Sequence, residues 1–354
     1  MAKTSSNTET GQAPSTESPS SEVELSPAWE AWVVDNLLDA VPLETLAATL
    51  QEQGVPQEVA QNEIMRIRNS AAFQRAMAFK KSSAQFQQIT QLHRELRHNN
   101  RSEVGIPREK PMGGEVFFQN YYTQNQPVVL EGLAKDWPAL SRWTPDYLTQ
   151  LLGDEEVEVT ADRESDPDYD ANFKGHSVTM TMTDFLQRVQ AVGTSNDIYM
   201  TANNRMMERP AFQRLIEDVC PPLEYVRDGH FAGGTSLWIG PQGTQTPLHH
   251  DNTNIIFCQL VGRKEFHLAS PLETHMLKWA TRTFYNEASF NPMDLDRFPE
   301  LAQVQIETLI LEPGDALFIP VGWWHQVQSL DFSISLSFIN LLRPNRFDGY
   351  HPGK

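Results

Sequence analysis

The sequence predicts a mainly β domain, a β-sandwich or jelly-roll barrel, with a small helical region before it. Three observations predict this. From residue 197 onward, short runs of β-type residues recur between Gly and Pro turns. The last run, Phe332 to Phe338, alternates Phe332, Ile334, Leu336 and Phe338 with serines, the period of a strand. Residues 27–98 instead space their apolar side chains as helices do.

Bulk composition narrows the function classes. The 354 residues suffice for one large domain and a small one. The net charge of −18, from 28 basic and 46 acidic residues, repels phosphate backbones, so no nucleic-acid partner is expected. No apolar run approaches membrane-spanning length, so no membrane partner is expected. Two cysteines, Cys220 and Cys258, make neither a disulfide framework nor a CxxC metal site. With no signal-peptide pattern at the N-terminus, a cytoplasmic location is expected.

Taken in order, residues 1–26 are Ser, Thr, Glu, Pro and Gly with almost no large apolar side chain. They are expected to form a disordered tail. Residues 27–98 read as a helical N-terminal region. Pro27 and Pro42 suit first-turn positions, and Leu43, Leu46 and Leu50 follow helical spacing up to a stop at Gly54. Pro56 restarts the pattern through Val59, Ile64 and Ile67. A last helix carries Phe86, Ile89, Leu92 and Leu96 on one face. That face is expected to pack on the main domain; the sharper alternative is a peptide- or partner-binding module. Residues 99–114, polar with Pro107, Pro111, Gly113 and Gly114, read as a linker.

Residues 115–354 form the expected barrel domain. Gln126 to Leu133 contain a short strand, Pro145 to Leu152 a helix, and Thr183-Asp184 begin another. Residues 162–175 are acidic and turn-rich, a surface loop by composition. The β-type runs that follow are Ile198–Met200, Ser236–Ile239, Asn254–Leu260, Glu265–Leu268, Gln305–Leu311, Ala316–Ile319 and Phe332–Phe338.

Two stretches carry chemistry. In Thr246-Pro247-Leu248-His249-His250-Asp251, His249 and Asp251 stand two apart. At a strand end such residues face the same way and reach one metal. The second stretch, Pro313 to His325, ends in Trp323-Trp324-His325 after a turn and a strand. Two imidazoles and one carboxylate on one face of an ion, with other positions open, make the facial triad of non-haem iron oxygenases. An H-x-D tripeptide alone is more often a polar turn, and a histidine after two tryptophans is more often packed than ligating. The joint pattern is what favours a metal site. His250 competes with His249, and the i, i+2 geometry favours the latter.

The stretches Thr246–Pro271, Pro313–His325, and Gln126–Leu133 through Trp137-Pro138 resemble the Jumonji-C (JmjC) family of cupin-like proteins. The nearest branch is the protein hydroxylases, which include the asparaginyl hydroxylase acting on hypoxia-inducible factor. The resemblance runs from about Glu115 to Arg343 and leaves residues 1–98 outside. It implies a double-stranded β-helix using Fe(II), 2-oxoglutarate and O2 to hydroxylate a C–H bond, releasing succinate and CO2. It makes His249, Asp251 and His325 the iron ligands. It matches Lys264 to the ammonium that pairs with the distal carboxylate of 2-oxoglutarate, and Thr246 and Tyr199 to hydroxyls that bind the same carboxylate. Ile255 and Ser337 stand where some relatives carry Asn, which makes the pocket less polar. Trp238, Trp323 and Trp324 are candidates for shielding it. The implied substrate is a protein or peptide side chain, with a small molecule left open, and a homodimer through the N-terminal helices is a further expected partner. The alternative is a non-catalytic cupin-like metal- or ligand-binding protein. Histone-type demethylation by the same chemistry ranks lower, because no zinc-finger spacing or chromatin-reader module is present.

Overall fold

Three prolines set where the first helices begin. Pro27 occupies the first turn of α1 (Pro27–Leu38). Pro42 and Pro56, with φ of −58° and −57°, sit one residue before α2 (Leu43–Glu52) and α3 (Gln57–Asn69). Pro42 therefore caps its helix from outside rather than filling its first turn. The computed structural model describes residues 25–101, 105–169, 172–202, 206–280 and 284–352. Its contacts divide the chain into two compact units, with the boundary at Glu95/Leu96 inside α4 (Ala71–Arg101).

The first unit has its own core. Trp29, Val33, Leu46, Leu50, Ala60 and Ile64 are buried together, and Arg66, paired with Glu63 of its own helix, ties α3 to α1 through Glu30. Leu25 also joins this core, so burial begins before residue 27. The rest of the expected tail lies outside the described residues. Along α4 the apolar stripe is not buried. Phe79, Phe86, Ile89, Leu92 and Leu96 are 76%, 68%, 54%, 55% and 56% exposed.

The second unit is built on β-strands, in chain order β1 (Arg108–Glu109), β2 (Val128–Leu130), β3 (Glu156–Thr160), β4 (Ser177–Thr181), β5 (Thr235–Gly240), β6 (Gln245–His249), β7 (Ile255–Val261), β8 (Lys264–Ala269), β9 (Ile306–Leu311), β10 (Ala316–Ile319), β11 (Trp324–Ser329) and β12 (Ser333–Phe338). A six-stranded sheet runs β1-β2-β10-β7-β12-β5, and a four-stranded sheet runs β6-β11-β8-β9. The pair β3-β4 stands apart. Two facing sheets of interleaved strand order make the double-stranded β-helix of cupin-like domains.

Strand alternation sorts each side chain to one of two cores. Along β7 and β10, Ile256, Cys258, Ala316 and Phe318 face a layer of helices that includes Phe117, Leu148 and Phe185. Phe257, Leu317 and Ile319 face the other way, toward Phe266 and Val327 of the smaller sheet. Both faces of the large sheet are therefore buried. The β12 serines are not a solvent face as their polarity implies. Ser333, Ser335 and Ser337 are all buried, and Ser335 donates to Gln259 Oε1 at 2.8 Å.

The 99–114 segment is only partly a linker. α4 runs to Arg101, Ile106 is buried, and β1 adds to β2 in parallel. Alternating backbone bonds cause this, as Val129 N–H donates to Pro107 O and Glu131 N–H to Glu109 O. The acidic 162–175 loop is likewise anchored. Arg163 is 1% exposed and donates from Nη2 to Gln245 O at 2.6 Å.

One ion-pair network in the helical layer carries a stability prediction. The Asp218 carboxylate accepts from Arg142 Nη1 at 2.7 Å, Trp143 Nε1 at 3.1 Å and Tyr147 Oη at 2.5 Å. Burial pushes its pKa up, but the bonds from Tyr147, Arg142 and Trp143 outweigh that, and the pKa ends below the usual range. A depressed carboxylate contributes stability that is present above its unfolded pKa and lost as pH falls through its folded one. Asp218→Ala leaves the Trp143 and Tyr147 donors unpaired and should cost about 3 kcal/mol. Denaturant unfolding of the variant at pH 7 and pH 3 checks this; the gap between variant and parent should shrink at the lower pH.

Candidate metal and co-substrate site

The site forms where β6 and β11 pair. Their antiparallel register sets His325 directly across from His249, so residues far apart in sequence become cross-strand neighbours. The two rings lie 4.1 Å apart between centroids. Asp251 sits just past the end of β6, its Oδ2 lying 3.4 Å from His325 Nε2 and 3.9 Å from His249 Nε2. One ligand atom from each of the three residues lies within 4.8 Å of the others.

The backbone fixes both imidazoles. His249 Nδ1 lies 2.8 Å from Pro247 O and His325 Nδ1 2.9 Å from Trp323 O. A carbonyl oxygen only accepts, so each Nδ1 carries the proton and each Nε2 presents a lone pair. Metal-ligating histidines are oriented in this way. Burial, with His249 next to it, holds the His325 pKa well below the usual imidazole range, so the ring is neutral. The donor set therefore fits a divalent first-row ion with an open face.

His250 is not part of this group. Its ring is fully buried and meets Trp324 edge-on at 4.7 Å and Phe284 at 5.6 Å. One residue along the strand is enough to turn it to the opposite side.

All three candidate ligands line a cavity of about 190 Å³, together with Tyr199, Thr246 and Lys264. The sharp β7–β8 turn delivers Lys264 there. Gly262 has a φ of +66°, and an added Cβ would come within 2.1 Å of Phe332 O. Only glycine meets both conditions. Lys264 is 1% exposed. Its Nζ donates to Tyr199 Oη at 2.7 Å and lies 5.2 Å, 5.3 Å and 5.9 Å from the rings of Tyr199, Phe257 and Trp238. Burial lowers its pKa to about 7. Among the described residues no carboxylate forms an ion pair with it. A buried ammonium held by a hydroxyl and aromatic faces lacks a counter-charge, and an anionic ligand supplies one.

The remaining lining explains what sequence reading reached and missed. Ile255 and Ser337 both face the cavity, and Ser337 accepts from Trp238 Nε1 at 3.1 Å. Asn254 points away, as its place on the strand implies, and binds Asn345 and the Val321 N–H. Of the three tryptophans expected to shield the site, only Trp238 lines it. Trp324 packs with Leu248 and Met276, and Trp323 donates to Asn125. Strand parity turns Trp324 away from the side of its neighbour His325, and Trp323 stands before the strand begins. The apolar wall of Phe257, Phe266, Ile319 and Val327 was not singled out in advance, since these residues read simply as core. The two orienting carbonyls are backbone atoms and leave no mark in the sequence.

Fold and site together define a cupin-type barrel with a two-histidine, one-carboxylate centre. The model of the cupin-like domain matches residues 114–339, and the chain belongs to this family, in its JmjC group. Among its relatives, Lysine-specific demethylase 8 of Xenopus tropicalis is 32% identical over 244 residues, covering 67% of this chain and 53% of that protein. Lysine-specific demethylase JMJ30 of Arabidopsis thaliana is 32% identical over 245 residues, covering 66% and 54%. HSPB1-associated protein 1 of Homo sapiens is 31% identical over 244 residues, covering 63% and 49%. The chain thus spans about half the length of these relatives. The JmjC family works with Fe(II), 2-oxoglutarate and O2.

Proposed function

We propose that this chain is an Fe(II)- and 2-oxoglutarate-dependent oxygenase that hydroxylates a C–H bond on a protein or peptide side chain. One observation carries the reading: the three candidate ligands and the unpaired, buried Lys264 open into a single small cavity. In this reading His249, Asp251 and His325 hold Fe(II). When bound, the iron with 2-oxoglutarate and O2 supplies the oxidising chemistry, and succinate and CO2 are the by-products. Lys264 and the Tyr199 hydroxyl bind the distal carboxylate of 2-oxoglutarate, with Thr246 beside them. Phe257, Phe266, Ile319 and Val327 exclude water. At about 190 Å³ the cavity is smaller than the ~300–1,000 Å³ of drug-sized clefts. It suits a small dianion, so the group to be oxidised must enter from outside.

A non-catalytic binding protein would need the metal ligands but no buried cation beside them, which is why Lys264 weighs against that alternative. Two of the relatives named above are lysine-specific demethylases by name. Removal of an N-methyl group starts with hydroxylation of its C–H, so substrate rather than chemistry separates demethylation from stable hydroxylation. A small-molecule substrate is a further option of the same site. The test is anaerobic calorimetry of Fe(II), then 2-oxoglutarate, on the full chain. One equivalent of each is expected, the second only after the first. Binding of 2-oxoglutarate that ignores the metal would contradict the reading.

The exposed stripe of α4 supports a homodimer. Phe79, Phe86 and His93 repeat every seven residues, and Ser82, Ile89 and Leu96 follow in the alternate seam position, the spacing of a two-helix interface. Phe86→Glu with Ile89→Glu should halve the mass measured by light scattering. An unchanged mass would remove the dimer. A reducing, cytoplasmic location is part of the same reading, supported by Cys220 and Cys258 both being free.

A further inference from the structure

A second cleft adjoins the small cavity. It encloses about 810 Å³, and Thr253 and Ile339 line both spaces. Thr253 is two residues beyond Asp251, so the cleft opens beside the candidate metal ligands. Its walls are residues 227–234, before β5, and residues 339–346, after β12.

The cleft has an unusual charge. Arg227, Arg343, Arg346 and His230 line it, and no lining residue is acidic. The whole chain carries −18, with 46 acidic residues in 354, so a basic concavity is not what the average surface provides. The guanidiniums remain open to a ligand. Arg227 donates from Nε to Leu341 O at 3.0 Å, and no ion pair to it is present among the described residues. Asp228 follows it in sequence but does not line the cleft. Arg343 pairs with Glu115, whose side chain is 89% exposed. Arg346 reaches Asp348 at 3.3 Å, with side-chain exposures of 83% and 67%. Exposed pairs of this kind are weak and yield to a competing carboxylate.

The walls are tied together. Arg227 N–H donates to Asn340 O at 2.9 Å, and Asn340 Nδ2 donates back to Arg227 O at 3.0 Å. Asn345 Nδ2 donates to Asn254 O at 2.8 Å, which fixes the second wall to the start of β7. A preorganised basic cleft of this size recognises extended acidic chain through charge-assisted hydrogen bonds.

We propose that this cleft is the substrate-docking surface and that it selects acidic peptide segments, holding carboxylates on Arg227, Arg343 and Arg346 while a neighbouring residue enters the small cavity past Thr253 and Ile339. The proposal rests on the oxygenase reading for what happens next, but the docking stands on the cleft alone. A nucleic acid offers anions too. The strong negative charge of the whole chain disfavours a long polyanion and favours a peptide with a few carboxylates.

The probe is a set of three fluorescent pools of degenerate peptides about twelve residues long, fixed positions being Asp/Glu, Ser/Gln or Lys/Arg. Polarisation is read on the full chain with Mn(II) and 2-oxoglutarate. The acidic pool is expected to bind about tenfold or more tighter than the others, with the margin shrinking as salt rises. The triple variant Arg227→Gln, Arg343→Gln, Arg346→Gln should lose that margin, with 2-oxoglutarate affinity and substrate-free succinate release within about twofold of the parent. Arg346→Gln alone, at a highly exposed position, should lose part of it and guards against a triple variant that fails to fold. Equal binding of all pools, or a margin that survives the triple variant, would overturn the proposal. So would a single-stranded oligonucleotide that binds more tightly than the acidic pool. Failure of the oxygenase reading shows separately, as absent succinate from the parent chain whatever the peptides do.

Discussion

Replacing His249, Asp251 or His325 with alanine is expected to lower Fe(II) affinity by more than about a hundredfold, beyond the ~10–100-fold effect of changing a residue that merely supports a ligand. Each change removes one of only three protein donors, and no other described His, Cys, Asp or Glu group clusters around the gap. His250→Ala is the contrasting case. It deletes a buried ring packed on Trp324 and Phe284, so it should cost about 2–4 kcal/mol of stability and leave metal affinity nearly unchanged. Anaerobic metal titration alongside thermal melts separates the two outcomes. Loss of metal in His250→Ala with retention in His249→Ala would reverse the assignment.

Lys264→Ala should weaken 2-oxoglutarate by about 3–5 kcal/mol, roughly two to nearly four orders of magnitude in Kd, because a desolvated carboxylate loses its cation. Fe(II) affinity should change little, since the ammonium is not a metal donor. The pH dependence has a definite sign. Burial lowers the Lys264 pKa to about 7, and only the protonated amine attracts the carboxylate. Affinity for 2-oxoglutarate should therefore fall as pH rises above about 7. In the ligand-free protein this group acts on stability in the opposite sense. Between about pH 7 and its ordinary pKa of 10.5 the unfolded chain holds a proton that the folded one has shed, so its contribution to stability rises with pH. Calorimetry of the parent and the variant from pH 6 to 9 measures both effects. A 2-oxoglutarate affinity that is the same in both proteins would remove Lys264 from the site.

What could be read in the sequence follows from what side-chain identity encodes. Strand parity is written in the chain, so His249 with Asp251, and Ile255 against Asn254, fell on the correct sides. That β6 lies beside β11 is not, because pairing between distant strands depends on the whole barrel. The resemblance to a known family supplied what the residues alone left open. The β12 serines show the limit of polarity as a guide. They look like a solvent face, but the large sheet is covered on both sides, and their hydroxyls are satisfied by Gln259, Trp238 and Ser329 of β11. Arg163 shows the same limit within the acidic 162–175 stretch. Composition marks that stretch as surface, and a single arginine stacked 4.2 Å over Tyr169 holds it down. The arginine cleft was invisible for a different reason. Arg227 and Arg343 are more than a hundred residues apart in sequence and are brought together by the bonds of Arg227 to Asn340 and Leu341.

The most direct test of the oxygenase reading is succinate formation by the full chain given Fe(II), O2 and 2-oxoglutarate, with Asp251→Ala and Lys264→Ala measured beside it. The parent should release succinate even without a protein substrate, and release more when an acidic peptide pool is added. Asp251→Ala should release none. Lys264→Ala should recover only at high 2-oxoglutarate. A parent chain that binds Fe(II) and 2-oxoglutarate at one equivalent each, yet forms no succinate with or without peptide, would contradict the account and make the protein a binding module instead.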